Sequence, residues 1–154
     1  MLKAIINKVT VKLKAEELLL LQNIEFTIEP NSVYMIIGKN GSGKSTIAKL
    51  LIGLLDDRFY NINARVLFGN ENIFQYDEQK ISAYKKEKVR CLFQDPMNSF
   101  DPLKKFRYYF DHFTADKHQT ESLINYFLLP ESKDFFNLYP YEVSGGMAQR
   151  ISLA

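Results

Sequence analysis

Hydrophobic positions divide the chain into short runs whose spacing changes from one to the next. Residues 5–13 alternate loosely, and Ile24, Phe26 and Ile28 alternate cleanly, which is the period of strands with one buried face. Pro30-Asn31-Ser32 marks a turn. The run Val33-Tyr34-Met35-Ile36-Ile37 has no polar break and predicts a strand covered on both sides by helices in a parallel sheet. Over residues 46–55 apolar positions recur at helical spacing until Asp56-Asp57 closes the run. Residues 64–68, followed by Gly69-Asn70, read as a strand and turn, and residues 75–88 as a polar helix. Residues 88–93 return to strand character before Gln94-Asp95-Pro96. Residues 106–127 read as helical and aromatic-rich, with a break near 114–119, and Ser144 opens a further helix as its N-cap. Strands alternating with helices define an α/β class, with a helical insert between Gln94 and Ser144.

A length of 154 residues predicts one domain with enough chain for a real core. The net charge of +2 is too small to make nucleic acid or an anionic membrane the main partner. A single cysteine, Cys91, excludes an internal disulfide and a cysteine-rich metal site, and makes a reducing compartment the default. Its place in the apolar run 89–93 predicts a small buried hydrophobe. The opening MLKAIINKVTVKLK lacks the apolar core of a signal peptide, and residues 18–21 are too short to span a bilayer. Work at a membrane would require another chain to hold this one there.

Gly38, Gly43, Lys44 and Ser45 fit the spacing G-x-x-x-x-G-K-[ST]. Glycines free backbone N–H groups to surround a phosphate, and the helix that follows adds its N-terminal partial charge. Lys44 then reaches the outer phosphates, and the Ser45 hydroxyl ligates Mg²⁺. Between them, Asn40, Gly41 and Ser42 complete the loop, and Thr46 follows in the helix. The loop alone admits kinases, GTPases, helicases and transport ATPases.

Two further stretches narrow the choice. Ser144-Gly145-Gly146-Met147-Ala148-Gln149-Arg150 resembles the signature motif of ATP-binding-cassette (ABC) ATPases, and Gln94 resembles that family's Q-loop glutamine at the end of a strand. The string Gln94-Asp95-Pro96-Met97-Asn98-Ser99-Phe100-Asp101-Pro102, and Tyr139-Pro140-Tyr141-Glu142, are similar to the subgroup that powers peptide and nickel importers. The resemblance implies a P-loop NTPase fold of the ABC type: a phosphate-loop core sheet, antiparallel strands and a helical insert, incomplete at the C-terminus. Within this single domain, residues 1–93 would form the core with the phosphate loop, 94–143 the Q-loop and insert, and 144–154 the signature with the start of its helix. It implies ATP and Mg²⁺ as cofactors, with Gln94 sensing the γ-phosphate and the metal. Ser144, Gly145, Gly146 and Gln149 would serve the nucleotide of a second ABC ATPase domain. Transmembrane permease subunits would hold the chain at the cytoplasmic face of the membrane. Two rival functions stay open: a nucleotide-binding fragment that does not hydrolyse ATP, as a regulatory or decayed gene product, and another soluble P-loop NTPase or kinase.

The chain departs from the resemblance in two places. The family's adenine-stacking aromatic should fall near Val11, where there is none. The family's Mg²⁺-ordering Asp, catalytic Glu and switch His would come beyond Ala154; His112 and His118 precede the signature and read as surface residues. Asp95 and Asp101 sit in turn-forming Asp-Pro pairs and Asp111 in the insert, so none of them is a natural substitute. Without the strand that would lie beside residues 33–37, that run would present an unpaired edge and exposed apolar faces, and poor solubility is expected. The clusters Lys85, Lys86, Lys88, Arg90 and Lys104, Lys105, Arg107 read as a solvated face before a docking one. For Phe106, Tyr108, Tyr109, Phe110 and Phe113, packing in the insert and a groove for a partner helix stand side by side. Truncation is the simplest account of the missing elements; an intact mass above 17.9 kDa for the protein purified from its source cells would mean a fragment, and a mass of 17.9 kDa a domain made without its catalytic strand.

Overall fold

The computed structural model describes residues 1–14, 16–113 and 117–153, without the side chains of residues 113, 117–119 and 133. It divides into two compact units, Met1–Arg90 and Cys91–Ala154.

In the first unit, among the described residues, four strands form one antiparallel sheet in the order β2-β1-β3-β4: β1 (Leu2–Lys12), β2 (Glu17–Ile28), β3 (Tyr60–Phe68) and β4 (Glu71–Asn72). Alternation places Ala4 and Ile6 on the buried face, opposite Phe26 and Ile24 on β2 and Val66 and Ala64 on β3. Strict alternation would turn Val9 outward. The register of β1 against β3 shifts between Ile6 and Lys8, and against β2 between Val9 and Thr10, so Val9 returns to the core opposite Leu21 and Ile62. Helix α1 (Lys44–Leu51) lays Ile47 and Leu50 on this face, in one cluster with Ile6, Val9, Leu21, Val66, Ile73 and Tyr84. Its regular turns end at Leu51 and Gly53 follows at φ 64°, so the helix stops earlier than the Asp56-Asp57 pair suggested. Residues 75–88 are largely helical as expected, in two pieces: α2 (Glu78–Ala83), capped by the Asp77 carboxylate accepting from Lys80 N–H at 2.8 Å, and a π-helical turn at Tyr84–Lys88.

Two expected strands are not formed. Residues 33–37 make no ladder among the described residues, and Val33, Met35 and Ile37 are 95%, 74% and 84% exposed. A strand buried on both faces needs neighbouring strands for its N–H and C=O groups, and none of the four described strands pairs with it. Of this run, Tyr34 stacks on Phe26 with ring centroids 5.1 Å apart, and Ile36 packs at the edge of the core. Residues 89–93 are likewise irregular, and Leu92 and Phe93 are exposed. Cys91 is exposed too, which corrects its reading as a buried hydrophobe.

The second unit is helical: α3 (Phe106–Phe113), α4 (Lys117–Tyr126), α5 (Lys133–Phe136) and α6 (Gly145–Leu153), with single 3-10 turns at Pro96–Ser99 and Pro140–Glu142. Of the predicted break near 114–119, residues 114–116 lie outside the described residues, and the chain is helical again from Lys117. Phe106, Phe110, Ile124, Leu129, Phe135 and Ile151 form its core, with Tyr109 packed against them. Packing therefore claims most of the α3 aromatics; Tyr108 stays at the surface beneath the Lys104 ammonium, 4.9 Å from the ring centre. His112 is exposed, and the side chains of Phe113 and His118 lie outside the described residues.

Leu50→Ala, at a fully buried position, is expected to cost about 2–5 kcal/mol in urea unfolding. Serine at Val33, Met35 and Ile37 is expected to change stability by less than ~0.5 kcal/mol per site. The same triple variant should scatter less light on concentration; unchanged scattering would remove the exposed run as the cause of poor solubility.

Candidate functional site

The candidate phosphate loop occupies residues 38–46, between the irregular run 33–37 and the first turn of α1. Its geometry begins at Gly43, the N-cap of α1, at φ 86°. A Cβ built there would stand 2.6 Å from Leu21 Cδ2 and 3.2 Å from the Leu20 carbonyl oxygen. Both the backbone angle and the close approach of β2 therefore demand glycine. No side chain caps this helix end, and its first turn carries no acidic residue. The first helical hydrogen bond runs from Ile47 N–H to the Gly43 carbonyl at 2.9 Å. The N–H groups of Lys44, Ser45 and Thr46 precede it and have no acceptor within the helix. Three donors, an uncompensated helix N-terminus and an adjacent cation make a cradle for an anion with several oxygens.

Lys44 points back into that cradle. Its ammonium donates to the Gly38 carbonyl at 2.9 Å and the Lys39 carbonyl at 2.7 Å. The loop is folded tightly around this contact: Ser42 N–H donates to the Lys39 carbonyl at 3.2 Å, and a Cβ on Gly38 would lie 2.7 Å from Ser42 Oγ. Gly41 turns through φ 79° with open space around it. Asn40, Gly41, Ser42 and Ser45 are exposed, and Thr46 is half-buried. The donor set fits a polyphosphate, and the exposed Ser45 hydroxyl in the first turn fits a ligand to its accompanying divalent cation.

Val11 belongs to the same unit, on the sheet face that carries α1. It stands between Leu18 on β2 and Tyr60 on β3, and Tyr60 packs on the core shared with Ile47 and Leu50. An aromatic ring thus lies directly across from the position where none exists in β1. Sequence reasoning missed Tyr60 because the pairing of Val11 with it follows from the register shift in β1.

The remaining residues lie in the second unit. Gln94 is exposed in irregular chain and does not end a strand, because residues 88–93 make no ladder. Asp95, beside it, caps the next turn, accepting from Met97 N–H at 3.0 Å and Asn98 Nδ2 at 2.9 Å. Asp101 accepts from Leu103 N–H at 2.9 Å, so both Asp-Pro carboxylates serve their own turns. Ser144 caps α6 as the sequence suggested, its Oγ accepting from Met147 N–H at 3.3 Å. Gly145, Gly146 and Gln149 are exposed at the start of that helix. Ala148 and Ile151 bury its opposite side. Arg150 donates to the Phe127 and Leu128 carbonyls at 3.3 and 2.8 Å, fixing α6 to the chain leaving α4. Among the described residues no cluster of His, Cys, Asp and Glu is arranged to hold a metal by itself. No helix among them is long and apolar enough to cross a membrane.

The sequence model of the ABC transporter family matches residues 21–154. The chain belongs to that family, and its fold is that of the family's ATPase cassettes. An oligopeptide transport ATP-binding protein of Lactococcus lactis subsp. cremoris is 29% identical over 141 residues, which is 86% of this chain and 42% of that protein. A dipeptide transport ATP-binding protein of Lactococcus lactis subsp. cremoris is 30% identical over 145 residues, 87% of this chain and 41% of that one. The chain thus spans about two-fifths of the length of the curated relatives it matches. The ATP-binding cassette MJ0796, solved as a dimer in a post-hydrolysis state bound to ADP and Pi, superposes with a TM-score of 0.78 at 21% identity, over 99% of this chain and 67% of that one.

Gly43→Ala is expected to lower stability by about 1–2 kcal/mol through its backbone angle alone. The displacement forced at Leu21 adds to that. Gly41→Ala, with similar φ but open surroundings, should show the backbone cost only, so equal losses in urea unfolding would rule out the Leu21 contact as a constraint.

Proposed function

We propose that this chain is the ATP-binding subunit of an ABC importer, that it binds Mg-ATP through residues 38–46, and that peptides are the cargo. The observation that carries the reading is the uncompensated N-terminus of α1, wrapped by the glycine loop and Lys44, in a chain of the ABC transporter family. Peptide is favoured over nickel because the matched relatives are named for oligopeptide and dipeptide transport.

On this reading, Gly38, Asn40, Gly41, Ser42 and Gly43 shape the cradle, and the N–H groups of Lys44, Ser45 and Thr46 meet phosphate oxygens. Lys44 exchanges its two carbonyl partners for the outer phosphates, gaining charge-assisted contacts. The Ser45 hydroxyl would be a ligand to Mg²⁺, which when bound neutralises charge on the outer phosphates. The base rests on the row Leu18, Val11 and Tyr60, where the Tyr60 ring supplies the aromatic surface that Val11 lacks. Ser144, Gly145, Gly146 and Gln149, exposed at the start of α6, would serve the nucleotide of a second ATPase domain; the dimeric state of a solved cassette supports such pairing. Transmembrane permease subunits would seat the chain at the cytoplasmic face of the membrane.

Lys44→Ala should weaken ATP binding by about 1.5–3 kcal/mol in calorimetry. Unchanged affinity would sink the site assignment. Turnover that disappears in the same variant would place hydrolysis in this chain, whereas binding without turnover would leave a nucleotide-binding module only. Tyr60→Leu, which keeps an apolar contact with the core and loses the ring, should weaken ATP binding by about 1–3 kcal/mol and leave inorganic tripolyphosphate unaffected. Equal losses for both ligands would refute the base row. Val11→Tyr, adding a second ring to that row, is expected to tighten ATP binding.

A further inference from the structure

The far end of α1 is tied down by a residue with no part in the phosphate cradle. The Tyr84 hydroxyl donates to the Leu51 carbonyl at 2.9 Å, one of the carbonyls a helix end leaves without a partner. Tyr84 is 3% exposed, and its ring is boxed edge-on by Phe68 and Tyr76 at centroid distances of 5.4 and 6.1 Å. Burial pushes its hydroxyl up to about 12, so it remains a proton donor at neutral pH. A second contact lies beside this bond. Gly53, at φ 64°, lets the chain leaving α1 sit so close to α2 that a Cβ would stand 3.2 Å from Ile81 Cδ1.

Tyr84 also opens the π-helical turn Tyr84–Lys88, and its own carbonyl accepts from Val89 N–H at 3.3 Å. One residue therefore holds α1 by its side chain and the π turn by its backbone. A π turn carries one residue more than an α turn. Helix α1, at eight residues, is about 12 Å long and joins the phosphate loop at its N-terminus to Leu51 at its C-terminus.

We propose that Tyr84 links the phosphate loop to the 84–89 turn: through its bond to Leu51, its hydroxyl couples phosphate binding at the N-terminus of α1 to the hydrogen bonding of that turn. The coupling rests on the nucleotide reading of residues 38–46. It gives the turn a ligand-dependent state six residues before Gln94 is reached from Lys88, along the chain.

Amide hydrogen exchange on the full chain, with and without Mg-ATP, tests it in the wild type, Tyr84→Phe and Tyr76→Phe. The wild type is expected to show slower exchange with nucleotide both at residues 41–47 and at residues 85–89. Tyr84→Phe keeps the ring and loses the hydroxyl; it should retain protection at 41–47 and lose it at 85–89. Tyr76→Phe, which gives up only the bond from its hydroxyl to Glu71, should keep both. Nucleotide-dependent protection at 85–89 that persists in Tyr84→Phe overturns the coupling. So does wild-type protection confined to 41–47, a result that needs no variant to fold. Absence of protection at 41–47 in the wild type overturns the nucleotide reading itself, and the coupling with it.

Discussion

The approach of Gly43 to Leu21 is the constraint on which the arrangement of the first unit depends. It sets where α1 begins on the sheet, and α1 in turn decides which side chains complete the core, since Ile47 and Leu50 close over Ile6, Val9 and Val66. A Cβ at this position would force the Leu21 side chain to shift and would strain the φ of 86°. Core packing and the anion cradle proposed for this loop therefore both depend on one close approach.

The sequence was legible where each signal is local. Strand β1 follows from the alternation of residues 5–13 and the end of β2 from that of residues 24–28, residues 64–68 read as the strand that closes β3, the polar stretch 75–88 reads as largely helical, and the loop 38–45 follows from a spacing whose chemistry is contained in the loop itself. The signature helix was legible for the same reason, because Ser144 caps it within one turn. Residues 33–37 and 88–93 were not. Their apolar runs carry strand propensity, but a strand is completed by another segment's hydrogen bonds, and no described strand provides them. The exposure of Cys91 follows from the same cause.

Features that depend on register were hidden as well. The pairing of Val11 with Tyr60 rests on a shift near Asn7 that alternation in β1 does not announce. The inward turn of Lys44 onto Gly38 and Lys39 and the reach of Tyr84 to Leu51 join groups whose partners are backbone carbonyls, which any residue could supply. Residue identity gives no clue to such contacts. Only the path of the chain does.

The contact of Lys44 with its own loop has a consequence for selectivity. An ammonium already satisfied by two carbonyl oxygens is a poor trap for a small anion, since a chloride or a lone carboxylate would have to displace both partners and return little more than it removed. On the nucleotide reading proposed for residues 38–46, a chain of phosphates differs in kind: it would engage the helix donors and offer the ammonium several charged oxygens together. On that reading the loop would screen by valence and by the number of oxygens delivered in one encounter, a filter made of nothing but main chain and a single flexible cation.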